Sequence, residues 1–174
     1  MTSAPKVTAG FTCSTPAEVA WLQEHGVADL LWAHVPIGPR KVEFAVAAAG
    51  RGGLTVALDS VESAAPLSAA ADAVDVTVPF LLEVNTGHAR LGVEPERAAA
   101  TAAALAALPG LRLRGVMTHE GHLSRAPHRQ ELERAGAAAG TLLASVADAV
   151  RAAGHEVEVV SVGSTPGVTS APFA

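Results

Sequence analysis

Six stretches of this chain put polar, reactive side chains directly after apolar runs. In chain order they are Thr12-Cys13-Ser14, His34, Asp59-Ser60, Glu83–Val93, Met117–His122 and Ser161–Gly167. The last reads Ser161-Val162-Gly163-Ser164-Thr165-Pro166-Gly167, a glycine-flanked hydroxyl loop. Exposed backbone N–H groups and two hydroxyls in such a loop suit a phosphate. An ordinary exit from a strand into a turn has the same composition, so composition leaves both readings open. Arg90 follows the turn at Gly87-His88 and is suited to an anion or a phenolic oxygen, although a lone loop arginine is as readily solvated. His119 and His122 flank Glu120 at a spacing that would pair two metal ligands on a helix but serves poorly at the end of a strand. Cys13 reads as a small buried hydrophobe with no base beside it to make it reactive. Trp21 and Trp32 read as core or interface packing, because no basic stripe accompanies them. His128, Arg129, Glu131 and Arg134 read as the solvated face of the last helix.

These groups need elements to position them. Strands are expected near Thr8–Cys13, Asp29–Val35, Leu54–Asp59, Val76–Asn85, Leu111–His119 and Val157–Gly163. Helices are expected near Pro16–His25, Pro39–Ala49, Val61–Ala73, Pro95–Ala107 and Pro127–Ala153. The strand runs are almost continuously apolar, as parallel strands buried on both faces require. Pro79 predicts a bulge or a later start for its strand. Thr15-Pro16-Ala17-Glu18 supplies a capping threonine, a first-turn proline and a capping-box glutamate. Asp59, Glu94 and Glu96 place negative charge near two further helix starts, and Gly26, Gly50, Gly110 and Gly154 mark helix ends. The result is five βα units and a sixth strand, with right-handed connections. Both an open doubly wound sheet and a (β/α)8 barrel fit this alternation. A closed barrel usually takes about 250 residues and eight strands, more than these 174 residues supply. No Gly-x-Gly-x-x-Gly follows the first strand, which removes the usual dinucleotide signature.

Composition narrows the partners. Apolar residues make up 49% and charged residues 17% of the chain, as a packed domain requires. A single cysteine excludes an internal disulfide framework. The net charge of −5, with the basic residues scattered, gives no footprint for nucleic acid. No long uncharged apolar stretch suggests a membrane span, and Met1–Lys6 lacks the apolar centre of a signal peptide. The expectation is a cytoplasmic protein acting on a small molecule.

Three motifs resemble one family. Glu83-Val84-Asn85-Thr86-Gly87-His88-Ala89-Arg90-Leu91-Gly92-Val93 is similar to the E-V-D-x-G-x-x-R-x-G-V segment of fold-type III pyridoxal-phosphate enzymes. Gly115-Val116-Met117-Thr118-His119-Glu120-Gly121-His122 resembles the G-x-M-x-Y-E-G-H strand of their D-threonine aldolase and D-serine dehydratase-like branch. Val159–Pro166 resembles that branch's V-V-S-x-G-G/S-T-P phosphate loop. The resemblance runs from about Gly10 to Thr165 and implies an alanine racemase N-terminal-like partial barrel over residues 10–174, after a leader of residues 1–9. It makes the strands equivalent to the second to seventh of the family's (β/α)8 barrel, without its C-terminal β domain. By the same resemblance Gly163, Ser164 and Thr165 hold the phosphate of pyridoxal 5'-phosphate, and Arg90 approaches its phenolic oxygen. His119 stands where the branch has a tyrosine.

The resemblance also implies a deficit. The family's Schiff-base lysine ends the first barrel strand in a P-H-x-K-x-H-K segment, whereas this chain has only Lys6 and Lys41, neither in such a setting. No catalytic residue and no metal ligand is therefore carried over, and the cofactor is expected to bind without a covalent link. The reading is a truncated D-amino-acid lyase, inactive as this polypeptide, whose intact relatives cleave or dehydrate a D-3-hydroxy amino acid. A non-catalytic phosphate- or pyridoxal-phosphate-binding module and an amino acid racemase-like protein are the alternatives. Open barrel edges favour self-association, in the simplest form a homodimer.

Overall fold

The computed structural model describes residues 10–173. The expected leader at 1–9, Lys6 within it and the first residues of the first expected strand lie outside the described residues. Strand and helix alternate as β1 (Phe11–Cys13), α1 (Pro16–Glu24), β2 (Leu30–Trp32), α2 (Pro39–Gly50), β3 (Leu54–Leu58) and α3 (Val61–Asp72). The series continues with β4 (Val78–Glu83), α4 (Ala98–Ala106), β5 (Leu111–Thr118), α5 (Arg129–Ala152) and β6 (Val159–Val162). Short 3-10 turns occupy Pro95–Arg97, Gly121–Arg125 and Ala171–Phe173.

The strands pair in chain order from β1 to β6, every pair parallel. That order decides between the two architectures. A doubly wound sheet reverses direction at a switch point and sends its first strand to the middle. Consecutive order with every helix on one side curves instead into a barrel wall, and six strands make a half-barrel. Side-chain alternation along the strands separates its two faces. Leu30, Trp32, Val56, Leu58, Phe80, Leu82 and Val116 pack outward against Val19, Val42, Ala45, Leu67, Leu105 and Leu143 of the helices. Ala57, Leu81 and Met117, with Leu31, Ala33 and Val159, point into the concave side.

Local chemistry sets the element ends. The Glu18 N–H donates to Thr15 Oγ1 at 3.2 Å, and the Ser14 and Thr15 N–H groups donate to Glu18 Oε2 at 2.6 and 3.0 Å, completing the expected capping box. Those backbone N–H groups hold the Glu18 carboxyl below its ordinary range. α2 takes in Gly50 as its last residue, Arg51 caps it, and Gly52, with φ of 92°, turns the chain away where Gly50 was expected to. β2 is shorter than expected: it ends at Trp32, the Ala33 N–H makes a last bond to the Cys13 carbonyl at 3.0 Å, and Val35 is buried beyond the strand. β4 starts later than expected, at Val78, with Pro79 paired inside the strand opposite Arg112, and its pairing with β5 slips between Phe80 and Leu81.

The slip leaves Arg114 outside the paired register, between Leu113 and Gly115. A bulge of this kind re-aims a side chain. Arg114 Nη1 donates to Asp29 Oδ1 and Thr55 Oγ1, both at 3.0 Å, and Nε donates to Glu158 Oε2 at 3.3 Å. One guanidinium thus ties β5 to residues flanking β2, β3 and β6. Trp32 and Cys13 lie in the core, and burial pushes the Cys13 thiol up, in keeping with an inert cysteine. Trp21, for which core and interface packing were both open, is 58% exposed in this chain and stacks on His25. No helix among the described residues is long and apolar enough to cross a membrane.

Candidate functional site

The strand exits gather at one end of the half-barrel, where a cavity of about 350 Å³ opens on the concave face. Arg90, His119, Gly163, Ser164 and Thr165 all line it, so every residue singled out from the sequence for cofactor contact reaches the same space. His34, Thr12 and Ser14 complete the polar wall, and Leu31, Ala33 and Met117 form an apolar floor.

Arg90 is carried by a loop that closes on itself. The Asn85 N–H donates to the Val93 carbonyl and the Val93 N–H to the Glu83 carbonyl, each at 2.9 Å. Asn85 Oδ1 accepts from the Gly87 and Ala89 N–H groups at 3.0 Å, and its Nδ2 donates to Glu94 at 2.8 Å. The related motif has an aspartate at this place. The amide keeps the accepting oxygen and adds a donor, so the loop gains an outer tether. At Gly92, with φ of 97°, a Cβ would come within 2.8 Å of the Asn85 nitrogen, so only glycine lets the loop fold back. Asp59 stands at the start of α3 as expected, where Ser60 is the cap and the Ser60 and Ser63 hydroxyls donate to Asp59 Oδ1, and its Oδ2 also accepts from the Gly92 N–H at 3.3 Å.

Charge around the cavity is mostly positive. Burial first, then the Arg90, Lys41 and His119 charges, push the His34 imidazole down. Burial, then Arg90, His119, His122 and Arg125, do the same to His88. Glu83 is buried beneath, and burial pushes its carboxyl up, partly offset by Arg90. The imidazoles give a first prediction. A histidine depressed in the folded state binds fewer protons than in the unfolded chain, so stability is full above the unfolded pKa of about 6.5 and is lost as pH falls below it. Thermal melts should therefore show a melting temperature falling between roughly pH 7 and pH 5.5. His34→Gln should flatten that slope, and an unchanged slope would remove His34 as its cause.

His119 Nδ1 lies 2.9 Å from the Gly163 carbonyl oxygen. A carbonyl only accepts, so Nδ1 carries the proton and Nε2 is the remaining ring nitrogen. Edge-to-face contact with His88, ring centroids 5.7 Å apart, orients the imidazole further. His119 spends Nδ1 on Gly163, and His122 stacks on His88 with ring centroids 6.4 Å apart. Ser164 Oγ accepts the Gly167 N–H at 3.1 Å, which leaves its own proton free to donate. No described residue takes the Ser164 or Thr165 amide N–H. Ser164, Thr165 and Arg90 thus line a single cavity, and their two amides, two hydroxyls and one guanidinium make a donor set that fits a phosphate monoester. Glu120, fully buried beside this loop, is the participant sequence reasoning missed. Its position inside the matched Thr118–His122 segment was the available signal.

A half-barrel of parallel strands with a polar cavity at the strand exits defines a (β/α)-barrel ligand site. Residues 2–174 match the alanine racemase N-terminal domain, and the chain belongs to that family of pyridoxal-phosphate enzymes. It is 31% identical over 160 residues to the D-threo-3-hydroxyaspartate dehydratase of Delftia sp. HT23, covering 90% of this chain and 42% of the relative. The structure of D-threonine aldolase from Filomicrobium marinum superposes with a TM-score of 0.87 at 28% identity, over 95% of this chain and 45% of that one. An uncharacterized protein of Mycobacterium tuberculosis is 35% identical over 162 residues, 88% of each chain. The chain thus spans less than half the length of the aldolase and dehydratase it resembles.

Proposed function

We propose that this half-barrel binds pyridoxal 5'-phosphate through its phosphate without a covalent link, as a D-3-hydroxy-amino-acid lyase barrel that does not turn over substrate as this polypeptide. The observation that carries the proposal is the convergence of Gly163–Thr165, Arg90 and His119 on one cavity. When bound, the cofactor supplies an electron sink for breaking a bond at the carbon bearing the amino group. Ser164 and Thr165 hold its phosphate with their amides and hydroxyls. Arg90 meets the phenolic oxygen, and His119, fixed by Gly163, bounds the ring. Among the described residues, none lining the cavity is a lysine, and Lys41 stands exposed in the first turn of α2. The amine that would tether the cofactor and exchange with substrate is not among them. A small D-amino acid is the partner this site would receive. A cytoplasmic setting and self-association through the outer strands belong to the same proposal.

Titration with pyridoxal phosphate, followed by borohydride reduction and peptide mass spectrometry, tests this. Saturable binding, no adduct fixed on Lys6 or Lys41 and no loss of D-threonine or D-serine are expected. A reduced adduct at either lysine, together with turnover of one of those amino acids, would overturn it.

A further inference from the structure

We infer that Glu120 is a positioning residue, which together with His119 grips Gly163 by both its backbone groups and so aims the Ser164 and Thr165 amides at the phosphate. The inference rests on the proposed phosphate site and adds a residue to it. Glu120 follows β5 and is fully excluded from solvent. A carboxyl group in such a place is costly unless its oxygens are used. Oε2 accepts the Gly163 N–H at 3.2 Å. The neighbouring side chain, His119, donates from Nδ1 to the Gly163 carbonyl at 2.9 Å. Consecutive residues of one strand exit thus hold the peptide groups on either side of Gly163, across more than forty positions of chain.

The other oxygen, Oε1, has no hydrogen-bond partner among the described residues and lies against the loop at Gly167. A Cβ on Gly167 would come within 2.5 Å of Oε1, 3.0 Å of Leu123 Cδ1 and 3.2 Å of Ser164 Oγ. Gly167 is therefore what allows the loop to lie down on the carboxyl. With its N–H turned inward to Glu120, Gly163 lines the cavity without an amide donor to spare. The next two amides have no described acceptor and are the ones left for an anion. A carboxyl that points its oxygens at a backbone it must hold, and not at the cavity, acts through the loop and never on the ligand.

A residue that merely fills space and one that positions the loop respond differently to two substitutions. Glu120→Gln keeps an accepting oxygen for the Gly163 N–H, whereas Glu120→Leu keeps the bulk and removes it. Phosphate affinity is read by calorimetry with pyridoxal phosphate and, separately, with inorganic phosphate. Glu120→Gln is expected within about threefold of the unaltered chain, and Glu120→Leu weaker by about tenfold, one hydrogen bond lost and converted at 1.4 kcal/mol per decade. Amide hydrogen exchange in the unaltered, ligand-free protein supplies a measurement that needs no variant: Gly163 should exchange far more slowly than Ser164 and Thr165. Equal affinity in Glu120→Leu, or a Gly163 amide exchanging as fast as its two neighbours, overturns the positioning role. Absence of any binding by the unaltered chain, with Gly163 still protected, sinks the phosphate site and leaves Glu120 a brace of the fold alone.

Discussion

Replacing Gly115 by alanine is expected to cost about 3 kcal/mol of stability, the upper end of what overpacking a tight contact brings. Gly115 sits in β5 opposite Val159 of β6, and a Cβ there would overlap the Val159 carbonyl oxygen. The obstacle is backbone, so no side-chain rotation relieves it. The strands must part, or β6 must slide. Either movement displaces the Arg114 carbonyl from the Glu158 N–H and shifts the loop that β6 delivers. For a domain of this size the loss should lower the melting temperature by roughly 6–12 °C. Gly163→Ala is the matched control, because nothing lies within 4 Å of a Cβ built there. Its melting temperature should stay near that of the unaltered chain. Equal melting temperatures for the two variants would show that β5 and β6 do not approach as described.

The elements that carry this contact were legible in different degrees. Leu54–Leu58 is buried at every position, as its nearly continuous apolar run implies. Thr15-Pro16-Ala17-Glu18 announces the start of α1 through local bonds alone. Periodicity could not separate a barrel from a doubly wound sheet, because both repeat the same βα unit. Strand order separates them, and strand order is long-range. Motif resemblance led to the same answer by another route.

The site divides along the same line. Arg90, His119 and Gly163–Thr165 stand at strand exits, so their convergence follows once the strands are parallel and consecutive. Arg114 carries no such signal. Its direction comes from a register slip between β4 and β5, which a sequence pattern of alternating burial cannot show. Glu120 was hidden for a related reason. A glutamate between two histidines reads as polar surface, and only the approach of Gly163 turns it into a buried acceptor. For Trp21 residue type left core and interface both open, and only the direction of α1, which turns the ring outward onto His25, rules out the core.

Ser164→Ala with Thr165→Ala should weaken pyridoxal phosphate and inorganic phosphate alike by about a hundredfold or more. Each hydroxyl lost to a charged phosphate costs about 1.5–3 kcal/mol, and 1.4 kcal/mol is a factor of ten. Binding should not vanish, because the two backbone amides survive the substitutions. Ser164 has a second task, accepting the Gly167 N–H, so its removal also loosens the loop. Thr165→Ala alone carries no such burden and isolates the ligand contact. Arg90→Ala separates the two ends of the cofactor. An arginine aimed at the phenolic oxygen is missed by pyridoxal phosphate and ignored by inorganic phosphate, whereas one aimed at the phosphate is missed by both. Calorimetry over this set reads each arm directly. A double variant that keeps full affinity for both ligands would place the phosphate elsewhere and reduce Ser161–Gly167 to an ordinary strand exit.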